Sequence, residues 1–353
     1  MNKHYQYIIS GQGIAGTVLA LTLIKKGKSV LIIDEPTLSQ ASRISAGLYN
    51  PIVFKRLVKS WMADELIPIM DTFYNDCEKL LNEKFYFKKE IVKLFSDETE
   101  KEFWLKKTKE EAGKYLSAII DTNFFTDTIT NPFGAAKVMQ AGNLDTALFL
   151  KIARCYFKNK GMLLEEALDY NVLEQGEKKI SYKNYTADKI IFCEGFKAIH
   201  NPFFNWLPFK LTKGELITIK FKSDFSIPTK MVINKGVFIL PLGNGTYKVG
   251  ATYEWKDLTE LPTENGKNQL IDKLKKIINI PFEVILHEAG VRPTVNDRRP
   301  LIGIHPEHTS FGIFNGMGTK GVMISPYFAQ QFVDFLEEDL PLHQEVNIAR
   351  FNK

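Results

Sequence analysis

Three glycines close to the amino terminus have the spacing of a phosphate-binding turn. The turn consists of Gly11, Gly13, Ile14, Ala15 and Gly16. In a turn of this type the first glycine permits a tight bend, the second lets the backbone approach a pyrophosphate, and the third lets the following helix pack closely on the sheet. The pyrophosphate then meets the positive end of that helix. We therefore interpret the segment as a dinucleotide-binding site.

An acidic residue stands where such a turn requires a partner for a ribose. Asp34 follows Gly16 by 18 residues, and Glu35 comes directly after it. A carboxylate at the end of the second strand accepts hydrogen bonds from ribose hydroxyls. Asp34 fits the end of the strand better, and Glu35 is the competing acid.

The residues around the turn predict a strand, a helix and a second strand. The short β-rich run 5–9 and the continuous apolar run 29–33 are typical of strands in a parallel sheet that is covered on both faces. Residues 14–26 predict the helix between them, which completes a βαβ unit of about 30 residues. These elements indicate an α/β fold with a Rossmann-like parallel sheet.

The sequence predicts two helical segments farther along the chain. The long segment 61–115 is amphipathic and rich in Lys and Glu, so we interpret it as helical with a solvated face. Residues 143–160 predict a helix that Asn143 or Asp145 caps.

The dipeptide Asn244-Gly245 lies between two β-rich runs and predicts a tight hairpin. If these are the two loop residues, counting back along the strands places Phe238 opposite Ala251. Phe238 and Tyr253 are then diagonal neighbours on one face of the sheet.

Composition excludes several classes of protein. The 353 residues are 44% hydrophobic and 25% charged, as in ordinary globular proteins of about two domains. A net charge of +5 without a basic tail gives no support to nucleic-acid binding. The apolar run 14–24 is too short for a bilayer and has its lysines on the wrong side for an export signal. The three separated cysteines, Cys77, Cys155 and Cys193, favour a reducing cytoplasm, and no metal site is predicted.

A second glycine-rich segment precedes the last predicted helix. This segment, Gly316, Gly318, Thr319, Lys320 and Gly321, resembles the second cofactor-contacting segment of flavoproteins in the D-amino-acid oxidase superfamily. The motifs between the two glycine segments follow the order that this superfamily shows. They are Ser42, Arg43, Ser45, Ala46, Gly47 and Leu48 after the first acid, Cys193-Glu194-Gly195 at a strand end, and Gly290-x-Arg292-Pro293 before Asp297 and Pro300-Leu301-Ile302-Gly303.

The resemblance covers essentially the whole chain and implies FAD as the cofactor, with these motifs and the first glycine turn as its binding site. Covalently flavinylated relatives carry a cysteine in the block around Arg292. None of the three cysteines falls there, so we expect the FAD to be bound without a covalent link.

Within the superfamily the chain resembles two branches, the glycine oxidases and the flavin half of bifunctional enzymes that modify the tRNA wobble uridine. By this resemblance Arg292 binds a substrate carboxylate and Tyr253 lies beside the flavin, both as catalytic-site residues. Tyr49, within Gly47-Leu48-Tyr49-Asn50-Pro51, joins them at the substrate site. Phe238 and Thr319 stand where glycine oxidases have a tyrosine and a second arginine, which argues against a plain glycine-like substrate.

The expected function is oxidation of a C–N bond in an amino acid or secondary amine, by hydride transfer to the flavin and hydrolysis of the imine, with oxygen or another electron acceptor. The alternatives are a tRNA wobble-uridine oxidase that works with a separate methyltransferase and a non-catalytic flavin-binding subunit. We expect an FAD domain from residues 1–55, 136–210 and 290–353. Residues 56–135 and 211–289 would form a sheet-plus-helix substrate domain over the flavin.

Overall fold

The structure is a computed structural model that describes residues 3–35, 41–125, 127–176 and 179–351. Its helices are α1 (Ile14–Lys25), α2 (Ala41–Ile44), α3 (Ala63–Leu81), α4 (Glu98–Lys107), α5 (Thr146–Asn159), α6 (Glu264–Lys275) and α7 (Gly321–Glu338). Its strands are β1 (Lys3–Ser10), β2 (Val30–Ile33), β3 (Leu48–Tyr49), β4 (Ile52–Val53), β5 (Val58–Lys59), β6 (Tyr86–Leu94), β7 (Ala135–Leu144), β8 (Leu163–Leu164), β9 (Leu173–Gln175), β10 (Ile180–Tyr182), β11 (Tyr185–Phe192), β12 (Thr212–Phe221), β13 (Met231–Asn234), β14 (Phe238–Gly243), β15 (Thr246–Gly250), β16 (Phe282–Arg292), β17 (Leu301–Ile304) and β18 (Phe311–Asn315).

The first large sheet has the order β17-β18-β11-β1-β2-β8. Strands β18, β11, β1, β2 and β8 run parallel, which confirms the α/β class and the opening βαβ unit. One face packs against α1, α3, α5 and α7, and the other face packs against the segment around Phe203 and Phe204. Both faces are therefore buried, as the unalternated apolar strands predict.

The second large sheet has the order β16-β12-β15-β14-β13-β6-β7-β3. Only the pairing of β13 with β6 is parallel. One face buries the apolar side of α6, and the other packs against Trp104 of α4. This sheet has the form expected for the substrate domain, but β7 and β3 belong to it although the expected boundaries put them in the FAD domain. The division into two domains stays a proposal, with the second boundary closer to residue 145.

The helical interpretation of residues 61–115 is wrong in the middle of that segment. Helix α3 ends at Leu81, residues 86–94 form β6, and α4 begins after Asp97, whose carboxylate accepts a hydrogen bond from the Glu100 amide at 2.7 Å. Strand β6 pairs with β7 on one side and β13 on the other. Partners more than 40 residues away in sequence thus outweigh the local charge pattern.

Helix α5 confirms the other helical prediction and resolves its cap. Asp145, not Asn143, precedes the helix, and its side chain accepts a hydrogen bond from the Leu148 amide at 3.0 Å. Residue 143 lies in β7 instead.

The aromatic contacts of α5 predict a large effect on stability. Phe149 is fully buried and packs on Tyr74 and Phe85 at ring distances of 5.7 and 5.0 Å. We expect Phe149→Ala to lower the free energy of unfolding by about 3–5 kcal/mol, measured by denaturant titration. Phe103→Ala removes the same ring from a side chain that is 40% exposed and serves as the control. Equal losses in the two variants would contradict this assignment of the core.

Candidate functional site

One large cavity lies where the carboxyl ends of β1, β2 and β11 face the second sheet. Its volume is about 850 Å³, within the range of about 300–1,000 Å³ typical of ligand and cofactor sites. The walls include the glycine turn at residue 11, the start of α7, and the ends of β11 and β16. Residues expected to bind the cofactor and residues expected to bind the substrate therefore line the same cavity.

The glycine turn has the geometry that its sequence predicts. Gly11 has a φ of 99°, and a Cβ there would lie 2.6 Å from the Cys193 carbonyl oxygen. A Cβ at Gly16 would lie 1.9 Å from the Gly11 carbonyl oxygen. Gly11 lines the cavity whereas Gly16 lies behind the turn, so the third glycine serves the packing of helix and strand.

The amino end of α1 is open toward the cavity. Gly13 caps the helix without a side-chain hydrogen bond, and the first turn contains no acidic residue. Gly13, Ile14 and Ala15 line the cavity. A helix end that faces the cavity with no acidic residue in its first turn suits the pyrophosphate of a dinucleotide, so the residues present fit FAD.

Asp34 lies at the end of β2 with its carboxylate already bonded. Its Oδ1 accepts a hydrogen bond from the Gln12 amide at 2.8 Å, and its Oδ2 accepts one from Arg154 Nη1 at 2.6 Å. Glu35 also lines the cavity but is exposed, 3.7 Å from Lys197 Nζ. Both candidate acids thus reach the site. Arg154, which sequence reasoning missed, orients Asp34 from a helix 120 residues away.

Residues 41–48 lie along the same cavity. Ser42, Ser45, Ala46, Gly47 and Leu48 line it, but Arg43 does not. The Ser42 hydroxyl accepts a hydrogen bond from the Ile14 amide at 3.1 Å, which joins this segment to the start of α1. Gly47 has a φ of 60°, and a Cβ there would lie 1.9 Å from the Leu144 carbonyl oxygen.

Glu194 forms a bonded cluster at the end of β11. Its carboxylate accepts hydrogen bonds from the Ser10 hydroxyl at 2.7 Å, the Tyr170 hydroxyl at 2.8 Å and Asn201 Nδ2 at 2.8 Å. Burial raises the pKa of Glu194 above its ordinary value. Glu194 lines the cavity together with Cys193 and Gly195. Tyr170 also lines it, although the sequence did not identify it as a site residue.

Some residues of the carboxy-terminal glycine segment line the cavity, and others do not. Gly318, Thr319 and Gly321 line the cavity, and the predicted Gly316 and Lys320 do not. A Cβ at Gly316 would lie 2.9 Å from the Leu301 amide nitrogen. Gly316 therefore permits close packing of the chain at a position that does not line the cavity.

Arg292 lies at the end of β16 and lines the cavity with Gly290. Its guanidinium donates long hydrogen bonds of 3.5 Å to the carbonyl oxygens of Lys213 and Thr252 and lies 5.1 Å from the centre of the Tyr253 ring. Among the described residues, no carboxylate lies within 4.0 Å of it. Burial lowers the pKa of this guanidinium, so a desolvated cation faces the cavity with weak partners only.

The register of the hairpin differs from the prediction. Gly243 pairs with Thr246, but a bulge at residue 242 shifts the strands so that Phe238 lies opposite Gly250 and not Ala251. Tyr253 lies beyond the end of β15, so it is not a diagonal partner of Phe238 within the hairpin. Both rings nevertheless line the large cavity.

Tyr49 does not reach the large cavity. Its ring stacks on Tyr86 at 5.4 Å, and a Cβ at residue 142 would lie 2.5 Å from its hydroxyl oxygen. Instead it lines a smaller cavity of about 230 Å³ together with Lys320. Two predicted site residues are thus brought together outside the large cavity.

Comparisons with known proteins agree with this fold. A family model described as "FAD dependent oxidoreductase" matches residues 6–335. Glycine oxidase of Bacillus subtilis is 22% identical, over 98% of this chain and 95% of its own. The tRNA 5-methylaminomethyl-2-thiouridine biosynthesis bifunctional protein of Legionella pneumophila is 23% identical, over 86% of this chain and 46% of its own. The crystal structure of glycine oxidase from Geobacillus kaustophilus superposes with a TM-score of 0.80 at 17% identity, covering 99% and 98% of the two chains.

The fold and the cavity define a dinucleotide-binding flavoprotein. The chain belongs to the family of FAD-dependent oxidoreductases that contains the D-amino-acid oxidases, which confirms the resemblance seen in the motifs. Its cofactor is FAD. No helix in the described part of the chain is long and apolar enough to cross a membrane.

The open helix end predicts the effect of side chains at Gly13. A Cβ there would lie 3.3 Å from Ser42 Oγ, so Gly13→Ala needs only a small adjustment. Gly13→Val adds two methyl groups in the space of the pyrophosphate. We expect Gly13→Ala to retain much of the FAD of the wild type and Gly13→Val to lose nearly all of it, measured as flavin absorbance per protein. Full loading of Gly13→Val would show that the pyrophosphate binds elsewhere.

Proposed function

We propose that this protein oxidises the C–N bond of an amino acid or secondary amine that carries a carboxylate. The observation that carries the proposal is the desolvated guanidinium of Arg292, which faces the large cavity with no carboxylate within 4.0 Å among the described residues. A guanidinium binds a carboxylate through two parallel hydrogen bonds. A substrate anion would supply the counter-charge that the protein does not.

The chain's own residues would bind and orient the substrate. Arg292 would hold the carboxylate, with Phe238 and Tyr253 as apolar walls that exclude water from the reacting carbon. The FAD, when bound, supplies the acceptor for the hydride of the C–H bond next to the amine nitrogen. The resulting imine then hydrolyses in water. The residues of the glycine turn and of the start of α7 would hold the cofactor.

Anaerobic mixing with candidate amines tests this function. We expect the flavin absorbance to be bleached by at least one carboxylate-bearing primary or N-substituted amine, with release of the carbonyl product on exposure to an electron acceptor. A flavin that no such amine bleaches would favour a flavin-binding subunit without catalysis.

A tRNA substrate is the second candidate because the chain is similar to the bifunctional tRNA enzyme over 86% of its length. The rings of Tyr253 and Trp255 lie 4.9 Å apart and are 45% and 55% exposed. Exposed aromatic rings beside a site are surfaces on which a base could stack. Bleaching by carboxymethylaminomethyl-modified tRNA, but not by small amines, would favour this candidate.

Arg292→Lys tests the carboxylate site itself. Lysine keeps the charge but loses the two-pronged geometry, and a hydrogen bond to a charged group contributes about 1.5–3 kcal/mol. We expect FAD loading to be unchanged and carboxylate affinity to fall about tenfold to a hundredfold, followed by flavin difference spectra. Arg56→Lys changes an exposed arginine and is the control. Unchanged affinity in Arg292→Lys would indicate a substrate without a carboxylate.

Phe238→Tyr is expected to act in the opposite direction. Phe238 lines the same cavity as Arg292, and a hydroxyl on this wall adds a donor for the carboxylate. We expect affinity for simple carboxylates to rise severalfold, as one neutral hydrogen bond of about 1 kcal/mol allows, in the same titration. Weaker binding would mean that the hydroxyl is buried without a partner.

A further inference from the structure

The smaller cavity adjoins the large one. Leu48, Phe238 and Thr319 line both, so the two spaces meet at these side chains. The other residues that line the smaller cavity are apolar or neutral, except for one charged side chain. They comprise Tyr49, Asn50, Phe54, Ile91, Val232, Asn234, Lys320 and Met323.

Lys320 is the charged residue of this wall. Its ammonium donates a hydrogen bond to the Ser60 hydroxyl, which in turn lies 3.5 Å from the Asn50 carbonyl oxygen. Within the described residues, no carboxylate lies within 4.0 Å of the Lys320 ammonium. A partly buried cation without a counter-charge costs free energy, and burial lowers the pKa of Lys320 to about 8.

The position of Lys320 at the start of a helix adds a second source of positive electrostatic potential. Lys320 is the cap residue of α7, an 18-residue helix whose first turn contains no acidic residue. The amino end of a helix carries partial positive charge and favours anions. A lysine at this end therefore increases a positive potential, and no carboxylate of the described residues lies within 4.0 Å of its ammonium to offset it.

We propose that the smaller cavity binds a second anionic group of the substrate, a carboxylate or similar oxyanion, through Lys320. The inference rests on the proposed function and extends it. Arg292 binds one carboxylate in the large cavity, and Lys320 binds the other in the smaller cavity, on the far side of Phe238 and Thr319. The preferred substrate is then a dianionic amine. Asn50 and Asn234 supply neutral polar groups around the second anion.

Equilibrium binding of unreactive carboxylates tests this subsite without turnover. Malonate, succinate, glutarate and adipate are titrated against the flavin spectrum, each beside the monocarboxylate of equal chain length. We expect at least one dicarboxylate to bind about tenfold or more tightly than its monocarboxylate. Because Lys320 must be protonated to bind an anion, this preference should fall as the pH rises through about 8. Tyr49, the other titratable residue of this wall, stays neutral there because burial raises its pKa.

Three variants separate the possible outcomes. Lys320→Met should abolish the preference for dicarboxylates and leave monocarboxylate affinity unchanged, and Lys320→Arg should retain most of the preference. Lys55→Met removes an exposed lysine next to Phe54 in the chain and should change neither. FAD loading and thermal unfolding identify a variant that fails to fold, in which case Lys320→Arg and the pH dependence decide.

A dicarboxylate preference that persists in Lys320→Met, or that is absent from the wild type, would overturn the inference. Inorganic phosphate lacks the second group that Arg292 would bind, so it should compete with the dicarboxylate only weakly. Phosphate that binds at Lys320 as tightly as the dicarboxylate would show that the cavity takes a free oxyanion instead, which also overturns the inference. Failure of the proposed function is distinguishable, because Arg292→Lys would then leave the binding of monocarboxylates unchanged.

Discussion

The guanidinium of Arg292 occupies space that exists only because residue 214 has no side chain. A Cβ at Gly214 would lie 1.7 Å from Nη2 of Arg292, and the two residues lie on the adjacent strands β12 and β16. The guanidinium is therefore held across the sheet by backbone, with carbonyl oxygens as its long-distance partners. Burial and the close approach to residue 214 limit the space open to this cation, so we expect little ordering entropy to be lost if a carboxylate binds.

The cofactor side of the cavity depends on the same kind of close backbone approach. Gly11 brings the turn against the end of β11, and Gly16 brings α1 against the turn. These two approaches bring the open amino end of α1 to the carboxyl edge of the parallel sheet, where ligands of α/β folds bind. The second sheet then carries Arg292, Phe238 and Tyr253 to the opposite wall. The FAD and the proposed anion-binding groups would therefore share one cavity.

The two cavities differ in how their cations are held. Arg292 has backbone partners and an aromatic neighbour, whereas Lys320 has a single hydroxyl and the positive end of a helix. An arginine remains charged at any physiological pH, but a lysine whose pKa burial lowers to about 8 is only partly charged in mildly alkaline solution. The two proposals therefore predict that anion binding at Arg292 is insensitive to pH and that anion binding at Lys320 is not.

The sequence by itself determined the features that depend on neighbours close along the chain. The glycine turn, the strand–helix–strand unit, Asp34 and helix α5 follow from spacing and from the properties of glycine, carboxylates and apolar runs, and the ordered motifs indicated the family and its FAD. Only the tertiary structure decided the features that depend on distant partners. Pairing with β7 and β13 makes a strand of the charged residues 86–94, Arg154 reaches Asp34 across 120 residues, and a bulge moves Phe238 by one position. Tyr49 and Lys320 likewise meet at a second cavity, because the packing of β3 against α7 is set by the whole fold and by no local pattern.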